Sequence, residues 1–351
     1  MRKVLAAIHF KNILLLIIAF IAFIVITSVL IVGVGNNKYI NKDTNKSTVI
    51  KSGDNKSVIK YESMPKITKV KVFITKENSI KEVNLEDYVT GVVASEMPVG
   101  FGVEAIKAQA VAARTYALAH VAQLGGAGCS KYAKEADLCD TVHCQVYMTK
   151  EERLKIWGRV KGEMYWNKIE NAVKATVGEV LTYNDNLVME PYYFSTSSGR
   201  TENSEDVFSA MVPYLRSVES PGEEKLKNTK SSKTFNYKEL SQIINNNYNN
   251  ARVSSANIKN QITVIDRTEA GSVKNIKVGR ITMTEGKFRT MLSLKSSNFK
   301  IKFNSSSVEV DCSGYGHDVG MSQYGADAMA KKGESYVDIL THYYQGTKIS
   351  K

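Results

Sequence analysis

The chain has 351 residues, 43% of them hydrophobic and 23% charged, with a net charge of +12. An excess of that size calls for an anionic neighbour; because the chain opens on an export segment, nucleic acid is set aside in favour of anionic wall polymers and lipid headgroups. The roughly 290 residues behind that segment exceed the common size of one domain and suggest two packed units.

Residues 12–37 carry no charge, and 13–34 are almost wholly Ile, Leu, Val, Ala and Phe. At ~1.5 Å per residue that run crosses a hydrocarbon core of ~30 Å. Arg2, Lys3 and Lys11 precede it, which places the N-terminus in the cytoplasm. A cleavable signal peptide is the alternative, but its apolar region is shorter and closes on Ala-x-Ala-type residues. Here the run ends Val-Gly-Val-Gly-Asn-Asn, so residues 1–35 read as a cytoplasmic tip and single-pass anchor in the cell membrane, with the rest facing the wall. Residues 36–64, rich in Asn, Lys and Ser, read as a flexible stalk that buries too little to offset its ordering entropy.

Structure is expected to begin near Pro65, where Ile67, Val70, Val72 and Ile74 start a strand-like alternation. Asn84 is placed as an N-cap before Leu85, Tyr88, Val89, Val92 and Val93 at helical spacing, and Pro98 disfavours helical geometry at Met97. Glu96 then falls in the last turn. A second helix, 103–124, is Ala-rich, stops at Gly125-Gly126 and carries Lys107 and Arg114 on one face. A third, 151–176, leads into a strand at 179–183 and a turn at 184–186.

From 221 to 297 Lys and Asn clusters flank a helix at 237–247 and strands at 261–265, 273–278 and 290–294. These predict a smaller α+β unit, 223–300, inserted into a mixed helix and strand core made of 65–222 and 301–351. The fold class is therefore α+β. A glycine-rich loop and a last helix, 323–332, close the chain.

Four ordered stretches resemble the stage II sporulation protein D family. They are Leu85-Glu-Asp-Tyr-Val-Thr-Gly-Val-Val-Ala-Ser-Glu-Met-Pro, Glu104-Ala-Ile-Lys-Ala-Gln-Ala-Val-Ala-Ala-Arg-Thr-Tyr-Ala, Phe194-Ser-Thr-Ser-Ser-Gly-Arg-Thr-Glu and Gly316-His-Asp-Val-Gly-Met-Ser-Gln-Tyr-Gly-Ala. The resemblance implies a lytic transglycosylase. Such an enzyme cleaves the MurNAc-GlcNAc β-1,4 bond of peptidoglycan strands stripped of stem peptides to 1,6-anhydro-muramyl products. It implies action during forespore engulfment, in the mother-cell engulfing membrane, with stage II sporulation proteins P and M as partners. The same domain occurs in amidase enhancers, so a non-catalytic scaffold that binds glycan or an amidase is the alternative. Asp318 stands where many relatives are expected to carry Gly.

Glycosidases normally pair an acid with a second carboxylate. A lytic transglycosylase needs only one acid/base residue, since the muramyl 6-hydroxyl is the nucleophile, and the family motif places that role on Glu96. Val92, Val93, Met97 and the negative end of the helix dipole disfavour its carboxylate. The motifs nominate Lys107, Arg114, Tyr193, Ser195, Ser197, Thr201, His317, Ser322, Gln323 and Tyr324 for substrate binding. Lys107 is expected to line the site without touching the unliganded acid, and Tyr192 and Phe194 suit sugar stacking. Turn-capping hydroxyls and a structural His317 are the competing readings. No Gly-x-Ser-x-Gly elbow supports a serine hydrolase.

Cys129, Cys139, His143 and Cys144 lie within sixteen residues, while Cys312 stands apart. They form a complete tetrahedral ligand set for a structural zinc ion. A disulfide is the alternative outside the cytoplasm. No His-Glu-x-x-His motif supports a zinc hydrolase.

Overall fold

The computed structural model describes residues 58–208, 210–223, 226 and 229–351. No helix among them is long and apolar enough to cross a membrane, and the expected anchor and most of the stalk lie outside them. Order begins earlier than Pro65. Ile59 is buried, Lys60 bridges to Asn186, and Tyr61 opens a short 3-10 turn whose backbone N–H donates to Asp185 O at 3.1 Å.

Strands β1 (Lys69–Ile74) and β2 (Ser79–Asn84) form an antiparallel pair, and β3 (Leu138–Cys139) adds parallel to β1. Asn84 ends β2 and caps helix α1 (Leu85–Glu96), its side chain accepting from Glu86 N at 3.0 Å. Met97 is extended at φ −103°, as the following proline requires, so the helix stops on Glu96. Helix α2 (Val103–His120) gives way to a 3-10 turn, Ala122–Leu124, closed by left-handed Gly125. The third expected helix is two, α3 (Lys150–Trp157) and α4 (Arg159–Ala175), because Gly158 takes a φ of +81° between them. A hairpin of β4 (Val180–Tyr183) and β5 (Asn186–Leu187) follows, turning through Asn184 and Asp185 at positive φ.

One hydrophobic cluster joins these helices, with Tyr88, Val92, Ile106, Ala113, Ile169 and Leu181 all buried. Each large apolar side chain so buried contributes ~1.5–3 kcal/mol. Two later elements complete it: α8 (Gln323–Lys331) and a helix absent from the sequence reading, α9 (Tyr336–Tyr343), which supplies Ile339 and Leu340. Its signal was a capping box, Ser335 with Asp338.

A second cluster spans Phe235 to Cys312. Its elements are β7 (Lys230–Asn236), α6 (Tyr237–Asn247), β8 (Ile262–Arg267), β9 (Val273–Val278), β10 (Ile281–Thr284), α7 (Glu285–Leu292), β11 (Phe299–Phe303) and β12 (Ser307–Ser313). The stretch expected as a strand at 290–294 is instead the end of α7, through Leu292, followed by left-handed Ser293. Phe288 and Leu292, four apart, share the buried face, and Phe288 stacks on Phe299 at 5.4 Å. Strand β12 pairs with both β7 and β11, from Ser307↔Asn236 to Ser313↔Lys230, which carries the sheet beyond residue 300.

Candidate active site

Glu96 ends α1 at the edge of a cavity of about 580 Å³, within the ~300–1,000 Å³ usual for ligand sites. The wall carries Tyr116, Tyr192, Tyr193, Phe194, Phe208 and Tyr315. Strand β6 (Tyr193–Phe194) pairs in parallel with β13 (Met321–Ser322), drawing the Ser195 and His317 segments together. Phe208, in the short helix α5 (Ser204–Phe208), lies 5.1 Å from Tyr192 and 5.3 Å from His317 between ring centroids. His317 Nδ1 accepts from Val319 N at 3.2 Å, and burial holds its pKa down at about 4, so the ring is neutral and its Nε2 carries the proton.

Burial raises the pKa of Glu96. Two donors work against that shift: Val146 N to Oε1 at 3.1 Å and Gln323 Nε2 to Oε2 at 3.4 Å. Val146 is held in place by its neighbours. Tyr88 OH donates to Gln145 Oε1 at 3.2 Å, and Gln145 Nε2 donates to Tyr193 OH at 3.0 Å. Tyr147 stacks on Tyr88 at 5.2 Å. Gly91 permits this approach, since a Cβ there would sit 2.5 Å from Met148 O and from the Tyr147 ring. The loop 140–148 is thus packed onto the helix that carries the acid.

The other nominated residues divide. Tyr193, Ser195 and His317 line the cavity and Gln323 touches the acid. Ser197, Thr201 and Ser322 are buried scaffolding. Glu223 accepts from Ser197 N and Ser322 Oγ, Ser197 Oγ accepts from Gly199 N, and Thr201 Oγ1 accepts from Val218 N. Tyr324 sets its ring against the edge of Phe101 at 4.8 Å. Lys107 does not line the cavity; it pairs with Glu104 at 2.7 Å and lies over Tyr336, one turn inside α2. Arg114 is fully buried in a bidentate pair with Glu86, 2.6 and 2.9 Å, and is not among the residues that line the cavity. Seven-residue spacing put both on one face but could not say what that face meets. Tyr116, Val146, Phe208, Arg289 and Tyr315 were missed. Only the exposed aromatics Phe208 and Tyr315 had any local signal.

Asp318 adopts a φ of +61°, the left-handed region that glycine enters freely and Asp tolerates better than most residues. Two residues on, Gly320 is obligatory: at φ +80° a Cβ would fall 2.0 Å from Tyr192 O.

Cys129, Cys139, His143 and Cys144 converge at the cavity rim, where His143 and Cys144 also form part of the wall. All four are brought together by β3 pairing with β1 and by the turn after it. The three sulfurs stand 3.8, 3.8 and 3.4 Å from His143 Nδ1, and the four ligand atoms lie within 4.8 Å of one another. Thiolate sulfur and imidazole nitrogen are donors that a transition-metal ion takes, and the three sulfur-to-nitrogen distances are close to the ~3.6 Å edge of a tetrahedral site. All four cysteines of the chain are free thiols, and Cys312 belongs to the second hydrophobic cluster. The cluster can hold a metal ion.

The family model of stage II sporulation protein (SpoIID) matches residues 74–183. Over 283 residues the chain is 40% identical to stage II sporulation protein D of Bacillus subtilis (strain 168), covering 80% of this chain and 79% of that one. It is 39% identical over 283 residues to the same protein of Bacillus amyloliquefaciens, covering 80% and 78%. The amidase enhancer of Bacillus subtilis (strain 168) is 29% identical over 308 residues, 74% of this chain and 40% of its own length.

Proposed function

The chain belongs to the stage II sporulation protein D family, and from that premise we propose that it is a lytic transglycosylase acting on peptidoglycan during sporulation. One observation carries the reading. Among the described residues that line the cavity, Glu96 is the one carboxyl, and it is half-buried with a raised pKa. A two-carboxylate hydrolysis lacks its second member there. A reaction whose nucleophile belongs to the substrate does not need one.

In this mechanism the aromatic wall stacks on the apolar faces of the sugars, with the neutral His317 ring packed among Tyr192, Phe194 and Phe208. Glu96 gives its proton to the glycosidic oxygen as the bond to the muramyl C1 breaks. The 6-hydroxyl oxygen of the same muramyl residue forms the new bond to C1, and its proton returns to Glu96. Val146 N–H and Gln323 stabilise the carboxylate between those two steps. The 6-hydroxyl outcompetes water because it is already held beside C1.

Within the same reading the cysteine centre takes zinc. Its ligands would be Cys129, Cys139, His143 and Cys144, a closed set whose chemistry is structural. The loop it ties down is the one that presents Val146 to the acid. The membrane anchor, the mother-cell engulfing membrane and the partners P and M complete the proposal. The amidase-enhancer relative keeps a scaffold reading in view, and one digest separates the two. Peptide-free strands treated with the ectodomain should yield 1,6-anhydro-muramyl ends, and Glu96→Gln should yield none; an intact digest with wild-type protein would leave the scaffold.

A further inference from the structure

The second hydrophobic unit is strongly basic, with fourteen Lys and Arg against six Asp and Glu between residues 230 and 313. One of those cations reaches the active-site cavity. Arg289, in the last turn of α7, is the sole Lys or Arg among the described lining residues. It is half-buried. Its Nε donates to Leu294 O and its Nη2 to Lys295 O, each at 3.3 Å, which fixes the guanidinium while leaving donors unspent. None of the described carboxylates forms an ion pair with it. The acids that feel its charge are Asp318 and Glu285, and burial holds Asp318 well above the carboxylate range and pushes Glu285 up to about 7. A second cation marks the same rim, with Lys295 Nζ 5.0 Å over the ring of Tyr315.

A half-buried guanidinium facing a ligand cavity, with no ion pair to a described carboxylate, fits an anionic group on the ligand. A strand of alternating N-acetylglucosamine and N-acetylmuramic acid carries only one, the lactyl carboxylate on O3 of the muramyl ring. That carboxylate is free where no peptide is amide-bonded to it. We propose that Arg289 is a specificity residue that binds the free lactyl carboxylate, so that the inserted unit reads the chemical state of the sugar presented to Glu96. The inference rests on the glycan reading of the cavity.

The unit is well placed to hold Arg289 in register. Asn298 Nδ2 donates to Ser198 Oγ at 3.0 Å, Thr268 Oγ1 to Glu202 Oε1 at 2.8 Å, and Gly316 N to Lys295 O at 3.1 Å. These bonds tie the inserted unit to the two segments that form the cavity wall.

The test uses the protein carrying Glu96→Gln, so that binding is read without turnover. Two probes are compared by calorimetry: a GlcNAc-MurNAc tetrasaccharide with free lactyl carboxylates, and the same tetrasaccharide with both converted to methylamides. The acid should bind about 10–100-fold more tightly. Adding Arg289→Ala should erase that preference and leave methylamide affinity unchanged, while Arg289→Lys should keep part of it. Should Arg289→Ala fail to fold, Arg289→Gln replaces it. Equal weakening of both probes would make Arg289 structural and overturn the proposal, as would a preference that survives the substitution. Equal binding of both probes by the parent sinks the Arg289 assignment alone. Binding of neither sinks the glycan reading with it.

Discussion

The backbone N–H of Val146 donates to Glu96 Oε1 at 3.1 Å, across fifty residues of sequence. Val146 lies two residues beyond Cys144, so the acid's environment and the cysteine centre share one loop.

Glu96→Gln preserves shape but cannot deliver a proton, and Glu96→Ala removes the group. Both should lose ~10²–10⁴-fold in glycan cleavage while melting normally, because no second carboxyl is among the described residues lining the cavity to compensate. Product analysis by mass spectrometry should give anhydro-muramyl ends from the wild type. Near-normal turnover in Glu96→Gln removes Glu96 from the mechanism.

The pH profile carries a sign. A general acid works protonated, so activity should fall as pH rises through the Glu96 pKa, which burial raises. Gln323 stabilises the carboxylate and lowers that pKa. Gln323→Leu should therefore move the alkaline limb to higher pH. A limb that moves to lower pH, or stays, contradicts the role given to this hydrogen bond.

Purified ectodomain should contain about one zinc per chain by elemental analysis, by the ligand count of the closed site. Cys139→Ser or chelation should lower Tm, at ~2–4 °C for each kcal/mol lost in a domain of this size, and reduce cleavage as the loop loosens. Activity lost with Tm unchanged would place the metal in the chemistry instead. A metal-free protein with a Cys–Cys crosslink would establish the disulfide.

Gly91→Ala tests the loop contact without touching a ligand or the acid. The new Cβ meets backbone at Met148 O, which a side-chain rotation cannot relieve. Overpacking of this kind costs ~1–3 kcal/mol. Cleavage should fall further than that stability loss explains, because Val146 moves with Met148. A variant destabilised but fully active under native conditions would show that the loop does not position Glu96.

Much of the local architecture is legible without coordinates. The Asn84 cap, the apolar spacing after it and Pro98 determine that α1 ends on Glu96, since capping and proline sterics act within a few residues. The three thiols and the imidazole of the cysteine centre are likewise close enough in sequence to be read as one set. Local pattern fails where chemistry and environment diverge. Residues 290–294 resemble a strand by composition, yet the helix that buries Phe288 and Leu292 runs through 292 and ends at left-handed Ser293. Lys107 and Arg114 share a face, but what covers that face is set by Glu86, Glu104 and Tyr336. The cavity itself was decided only in three dimensions. Glu96, Val146, Tyr193, Arg289 and His317 come from five separate segments, and contacts at such separations depend on how the two hydrophobic clusters pack rather than on any periodicity along the chain.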